Sequence, residues 1–444
     1  MCCQRGCFKK MKQPQLLFRP NALNLQGLNL FDINMKKIPW LLCFMTALAA
    51  TAFPNSPLPT GWWRASLLRN DGITIDFNVN MQYKKGKPVW YIRNAAEKIE
   101  VTAIGQKQDS IIVQMPLFES EFRLQRNSNT ISGVWIKKTS TSTQIMPVVF
   151  TPGVQQRYPQ AKQTKRKIGG RWGATFIDGK KQIQAVIEFK QTGIALTGTV
   201  LTPTGDYRYL EGAVHNDTLK LSTFDGSHAY YFRGTINNDS VITDGFYYSG
   251  ATSVETWTAQ KNEKASIPDT LSAVYLKPGE DSLHFRFPDL DSNMVSISDD
   301  RFRNKVVIVQ IMGSWCPNCM DETAFLSEYY KANKQRGIEI VALAYEYSTD
   351  FSRSQKSLRK FQQRFNITYP MLITGVRTID SLRTEKTLPE ITRIKMFPTT
   401  LFIGRDGKMK KAHTGFNGPA TGVHYEAFKK EFYNTVDELL KEGL

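Results

Sequence analysis

An apolar run followed almost at once by two cysteines constrains this chain most. Val306-Val307-Ile308-Val309-Gln310-Ile311-Met312 reads as a buried parallel strand. Trp315-Cys316-Pro317-Asn318-Cys319 comes next, and Met320-Asp321-Glu322-Thr323-Ala324-Phe325-Leu326 reads as a helix. A dithiol at a strand-to-helix turn has its first sulfur at a helix N-terminus. The macrodipole and the free backbone N–H groups there favour a thiolate. A low-pKa thiolate with a second thiol in reach is the chemistry of disulfide exchange.

The other cysteines, Cys2, Cys3, Cys7 and Cys43, lie before or inside a segment with the pattern of a secretory signal. Met35-Lys36-Lys37 is a basic start, Ile38 to Ala50 is apolar, and Ala50-Thr51-Ala52 is a small-x-small cleavage site. The apolar run falls short of the ~20 residues that span a bilayer. Leu42 before Cys43 argues against a lipid anchor. Residues 35–52 are therefore expected to be a signal peptide, and 1–34 a gene-model extension or an atypical n-region. Cleavage after Ala52 leaves Cys316 and Cys319 for redox work or metal, with no structural disulfide. The expected location is exported, in the periplasm or cell envelope, with no transmembrane span in the mature chain.

A chain of 444 residues predicts two or three domains. Residues 1–52 carry seven Lys/Arg and one Asp, so a chain without them keeps +12 of the formal +18. The basic residues are scattered, which reads as a solvated surface and not as a nucleic-acid site. Residues 61–260 read as all-β, with alternating runs such as Ile73 to Val79 and Ala185 to Phe189, and turn pairs such as Asp178-Gly179 and Asp225-Gly226. Gly61-Trp62-Trp63-Arg64 echoes Gly170-Arg171-Trp172-Gly173, Asp109 to Val113 echoes Asp217 to Leu221, and Ser132 to Trp135 echoes Thr243 to Phe246, at offsets of 109, 108 and 111. Two antiparallel meander or barrel units are expected, over 53–160 and 168–260. Lys162, Lys165, Arg166 and Lys167 fall between them as an exposed connection. His215 and His228 have no carboxylate or cysteine at ligand spacing and read as surface or loop residues. Tyr230, Tyr231, Tyr247 and Tyr248 read as core packing in preference to a cleft lining.

A polar linker is expected over 261–283. From 284 the pattern changes to alternating strands and helices. A small hairpin is expected over 284–297, then the strand at 306–312, a helix to about Arg336 stopped by Gly337, and a second parallel strand at 338–344. A charged helix over 353–365 and an antiparallel hairpin around Gly404-Arg405-Asp406-Gly407 follow. A last helix then places Tyr425, Phe428, Phe432, Val436 and Leu439 on one face. This order predicts an α/β layered domain with a mixed sheet.

Residues 284–444 resemble the thioredoxin-like domains of the TlpA/ResA type, which are membrane-bound or exported bacterial thiol–disulfide oxidoreductases. The resemblance rests on Trp-Cys-x-x-Cys, on Glu322 three residues beyond Cys319, on Phe397-Pro398-Thr399, and on Thr414 to Thr421 before the last helix. It implies that Cys316 attacks and Cys319 resolves the mixed disulfide. It also implies that Pro398 is cis beside the cysteines, so that the Phe397 backbone can pair with a substrate strand next to Trp315. Protein thiol or disulfide substrates and an upstream electron donor are the implied partners. No cofactor is implied beyond a redox-active Cys316–Cys319 disulfide.

Thioredoxin has a buried Asp six residues before its first cysteine, and here that place holds Gln310, which cannot titrate. Glu322 shares a helix face with Cys319 and is the candidate proton acceptor, or else a carboxylate that only complements the helix dipole. Peroxiredoxins carry Pro-x-x-x-Thr-x-x-Cys, and the corresponding places here hold Val309 and Gly313, a poor fit to a peroxidase. Two cysteines supply too few ligands for a tetrahedral metal site, and His413 reads as a solvent-facing strand-end histidine. The expected function is reduction of protein disulfides. The rival from another class is a binding protein whose β-rich half carries the function.

Overall fold

The strand pattern of the β-rich half resolves into two sheets. In this computed structural model, which describes residues 57–267 and 274–442, the first has nine strands. They are β1 (Gly61–Leu68), β2 (Thr74–Lys84), β3 (Lys87–Asn94), β4 (Glu97–Val101), β5 (Ile104–Lys107), β6 (Ser110–Gln114), β7 (Ser120–Arg126), β8 (Ile131–Lys138) and β9 (Thr143–Pro152). Their order is β4-β3-β2-β1-β9-β8-β7-β6-β5, so the edge strands β4 and β5 are neighbours in sequence and the sheet curls toward itself. Alternation drives the burial: Ile75, Phe77, Val79 and Met81 of β2 are all at most 1% exposed.

The second sheet is built from β10 (Gly170–Asp178), β11 (Lys181–Thr192), β12 (Ala195–Thr202), β13 (Gly205–Asp206), β14 (Leu210–His215), β15 (Thr218–Phe224), β16 (Ala229–Asn238), β17 (Val241–Ser249) and β18 (Ser253–Lys261). Its first strand pairs with its second and its last, as β1 does with β2 and β9. Here β11 also pairs with β12, which closes a barrel and removes its edges. The curled first sheet is filled from outside: Phe224, Ala229, Tyr231 and Tyr248 of the barrel join its core, and Phe224 stacks on Phe77 at 4.3 Å. Tyr230, Tyr231, Tyr247 and Tyr248 are all buried.

The C-terminal part begins with the hairpin β19 (Arg286–Pro288) and β20 (Met294–Ser296). Then follow β21 (Val306–Met312), α1 (Pro317–Asn333), β22 (Ile338–Ala344), α2 (Phe351–Phe365), β23 (Met371–Ile373), α3 (Arg383–Thr387), β24 (Thr399–Ile403), β25 (Met409–Thr414) and α4 (Val423–Lys441). The sheet order is β23-β22-β21-β24-β25, with β21, β22 and β23 parallel and β24 and β25 antiparallel, a thioredoxin-like arrangement. Every residue of β21 and β22 is buried, because both faces are covered. One face carries Ile308 and Ile340 against Phe325, Phe361 and Phe432 of α1, α2 and α4. The other carries Val309 and Val341 against Val274, Phe285 and Ile394. Gly337 stops the helical segment at φ 84°, a conformation that favours glycine.

The stretch expected to be a linker, 261–283, is only partly one. Lys261 ends β18, while Leu276 bridges to Ile391 and Ser282 to Lys408, and Val274 and Leu283 are buried in the C-terminal core. Its polar composition hid a strap that buries Val274 and Leu283 while leaving Tyr275 65% exposed. The expected signal peptide and the stretch before it lie outside the described residues. Pro54–Leu444 is one compact unit. Leu117 and Phe118, from the β6–β7 turn, enter the core of the C-terminal part, and Glu119 pairs with Arg353 of α2 at 2.9 Å. No described helix is long and apolar enough to cross a membrane.

Candidate active site

Strand β21 ends in Gly313, and the chain turns sharply before α1 begins at Pro317. A Cβ on Gly313 would overlap the Trp315 indole, which folds back over it. Trp315 is fixed by its Nε1–H, which donates to the Tyr345 carbonyl at 2.8 Å, by stacking on Tyr347 and by edge contact with Phe397. Cys316 is the N-cap of α1, and its Sγ accepts the Cys319 amide N–H at 3.1 Å. Pro317 at the first helical position needs no hydrogen-bond partner for its nitrogen. Cys316 and Cys319 are joined by a disulfide with Cα atoms 5.2 Å apart, Cys316 5% exposed and Cys319 fully buried.

The Phe397–Pro398 bond is cis, and the Phe397 carbonyl oxygen lies 3.6 Å from Cys316 Sγ. Glu322 is buried one helical turn beyond Cys319. It accepts hydrogen bonds from Thr400 Oγ1 at 2.6 Å and Gln310 Nε2 at 2.8 Å, and burial pushes its pKa up to about 7 despite them. The fold therefore brings Trp315, Cys316, Cys319, Glu322, Phe397 and Pro398 to one end of the central sheet.

Three comparisons with known proteins bear on this region. The profile described as the AhpC/TSA family matches residues 278–412. Residues 278–412 form an AhpC/TSA-family domain. Relatives of this part are thiol-disulfide oxidoreductases named ResA. That of Halalkalibacterium halodurans is 25% identical over 140 residues, 31% of this chain and 69% of the relative. That of Geobacillus kaustophilus is 28% identical over 137 residues, again 31% and 69%. Among solved structures, a thiol:disulfide interchange protein of the thioredoxin family from Chlorobium tepidum is 20% identical. It covers 36% of this chain and 95% of its own, with a TM-score of 0.27.

The AhpC/TSA domain does not present its cysteines alone. Segments of the closed barrel lie directly on the motif. Ser227 Oγ–H donates to the Trp315 carbonyl at 3.2 Å. Asp206 accepts the Gly418 N–H at 2.7 Å and lies 3.5 Å from Asn318 Nδ2. A Cβ on Gly205 would sit 2.5 Å from that same Asn318 nitrogen. Arg208 forks onto Asp321 of α1 at 2.8 and 2.9 Å. It also pairs with Glu97 at 2.6 Å and sits 3.5 Å from Asp225. Burial raises Asp206 to about 6, with nearby Asp321 adding to the shift.

Two histidines depart from their sequence reading. His228 was expected at the surface or in a loop, with no carboxylate at ligand spacing, and it does lie in the loop between β15 and β16. Its Nδ1 lies 3.4 Å from Asp225, three residues earlier in the same turn, and burial lowers its pKa. His413 was expected in solvent, but its ring packs on Phe428 at 5.1 Å, and burial lowers its pKa too. Glu346 was missed altogether. It accepts the Ser314 N–H at 2.8 Å and the Ser314 Oγ–H, and burial raises its pKa to about 7. The sequence signal for His228 was the Asp225-Gly226-Ser227-His228 turn. Glu346 had only its place just after a buried strand.

Proposed function

We propose that this protein is an exported thiol–disulfide oxidoreductase that exchanges disulfides through Cys316 and Cys319. The observation that carries this reading is the pair itself: Cys316 caps a helix N-terminus, accepts the Cys319 amide, and faces the Phe397 carbonyl. In the reduced state the same geometry favours a Cys316 thiolate. Attack by Cys316 forms a mixed disulfide, and Cys319, inside the first turn, releases it. Glu322 serves as the proton acceptor for the buried Cys319 thiol. An upstream thiol or thiolate donor returns the pair to the dithiol. The alternative of a thiol peroxidase gains little support, because Val309 is a buried strand residue and Gly313 has no hydroxyl. A pure binding role leaves the helix-capping sulfur unexplained.

The test is reduction of a model disulfide by the dithiol form of the full chain. Cys316→Ser is expected to abolish it, and Cys319→Ser to stop at a trapped mixed disulfide. Activity that survives Cys316→Ser sinks the reading. Export is tested separately by N-terminal sequencing, expected to begin at Phe53.

A further inference from the structure

The cysteine end of the AhpC/TSA domain is roofed. The segment from Thr202 to Arg208 lies on Asn318 and Asp321, and the turn from Asp225 to His228 lies on Trp315. Between this roof and the motif is a cavity of about 330 Å³ that Cys316 lines together with Lys137, Asp206, Arg208, His228 and Tyr230. That volume is at the lower end for small-ligand sites. A disulfide on a folded protein would have to bring its own surface to positions this chain already occupies.

The charges in the chamber are unequally committed. Asp225 is flanked by His228 and Arg208, and Arg208 is shared among Glu97, Asp225 and Asp321. Asp206 accepts backbone N–H groups of Gly418 and Arg208. Lys137 differs: its ammonium donates to the Ser227 carbonyl and has no carboxylate at ion-pair distance among the described residues; Asp225 attracts it only from further away, and burial lowers its pKa. A half-buried ammonium facing a small chamber is a site for an anion.

We propose that the β-rich region makes this a covered site for low-molecular-weight disulfides that carry carboxylates, with Lys137 as the group that recognises the carboxylate. The proposal rests on the disulfide-exchange reading and narrows its substrate. The Cys316 thiolate attacks one sulfur of R–S–S–R, and a Cys316–S–R bond forms as the S–S bond breaks and R–S⁻ leaves. Cys319, its proton given up, attacks Cys316 Sγ, closes the protein disulfide and expels the second R–S⁻. Two electrons pass from the protein to the substrate. The protons released by the dithiol are taken up by the leaving thiolates to give two R–SH.

The dithiol form of the full chain is mixed with three disulfides of similar length: anionic dithiodipropionate, neutral hydroxyethyl disulfide and cationic cystamine. Insulin is the protein substrate. Each rate is divided by that of free dithiothreitol on the same disulfide, which removes the leaving-group effect. The ratio is expected to fall from anionic through neutral to cationic, by about tenfold at the first step, with insulin below all three. Lys137→Gln, checked for folding by its urea midpoint, is expected to flatten the charge order. If that variant does not fold, the parent series decides alone. A flat or reversed order in the parent, insulin reduced as fast as the small disulfides, or a charge order that survives in folded Lys137→Gln each overturns the proposal with disulfide exchange intact. Failure to reduce any of the four overturns the exchange reading, and this proposal with it.

Discussion

In the proposed exchange, Glu322 is the residue on which the second half of the reaction turns. Cys319 is fully buried, so desolvation opposes its ionisation, and Gln310 cannot take its proton. Glu322, raised to about 7 by burial, is poised to do so near neutral pH. Glu322→Gln is expected to slow release of the mixed disulfide by ~10²-fold while sparing the first attack by Cys316. Stopped-flow measurement of both half-reactions checks this, and equal slowing of both would count against it. The same shift has a stability consequence. The folded pKa of about 7 exceeds the ordinary 4.5, so the folded state holds the proton more tightly. The associated stability is present below pH 4.5 and is lost as pH rises through about 7, on the order of 3 kcal/mol for this group. Urea midpoints of the parent should therefore fall between these pH values, more steeply than those of Glu322→Gln. Glu346 and Asp206 add slopes of the same sign in both proteins.

At the scale of elements, the barrel and the active-site helix are joined by one buried cation. Arg208 meets Glu97, Asp225 and Asp321, from three separate parts of the chain. Removing it leaves three carboxylates buried close together. Arg208→Leu is expected to destabilise the protein by ~3–5 kcal/mol, against less for Asp321→Asn, as read by urea unfolding. A smaller loss for Arg208→Leu than for Asp321→Asn would remove Arg208 from the centre of this network. Such a junction was not legible in the sequence. Val306 to Met312, Ile338 to Ala344 and the α4 face announce themselves by local period, and the Trp-Cys-x-x-Cys turn by spacing. Arg208, Asp225 and Asp321 acquire their meaning only when distant segments meet. His228 looked isolated for the same reason: its surroundings are made by burial, which a window of neighbouring residues does not reveal. The apolar positions of the strap at 274–283 are too few to show a period.

At the scale of the molecule, the β-rich region and the AhpC/TSA domain share side chains as well as a chain. Leu117 and Phe118 sit in the domain's core, Phe118 against Phe361 at 6.5 Å, and Glu119 pairs with Arg353. Within the β-rich half, the barrel and the curled sheet each carry a core of their own. Separately produced fragments 57–267 and 274–442 are expected to bind one another when mixed. Phe118→Ala should weaken that association by ~3 kcal/mol or more, within the range for large-to-small changes in a core. Size-exclusion chromatography and titration calorimetry measure both, and fragments that ignore each other would refute the shared core.

The segment that leans on Asn318 is the short β12–β13 hairpin of a closed barrel, its turn running from Thr202 to Gly205. Connections of this kind lengthen, shorten and change composition without disturbing the scaffold that holds them. The redox motif, in contrast, is locked between a buried strand and a helix. On the covered-site proposal, chemistry and choice of substrate are thus written in separate stretches of the gene. A lineage can revise the second through a few codons at Lys137 and in the turn from Thr202 to Thr204, short of the buried Asp206 and Arg208, while inheriting the first unaltered.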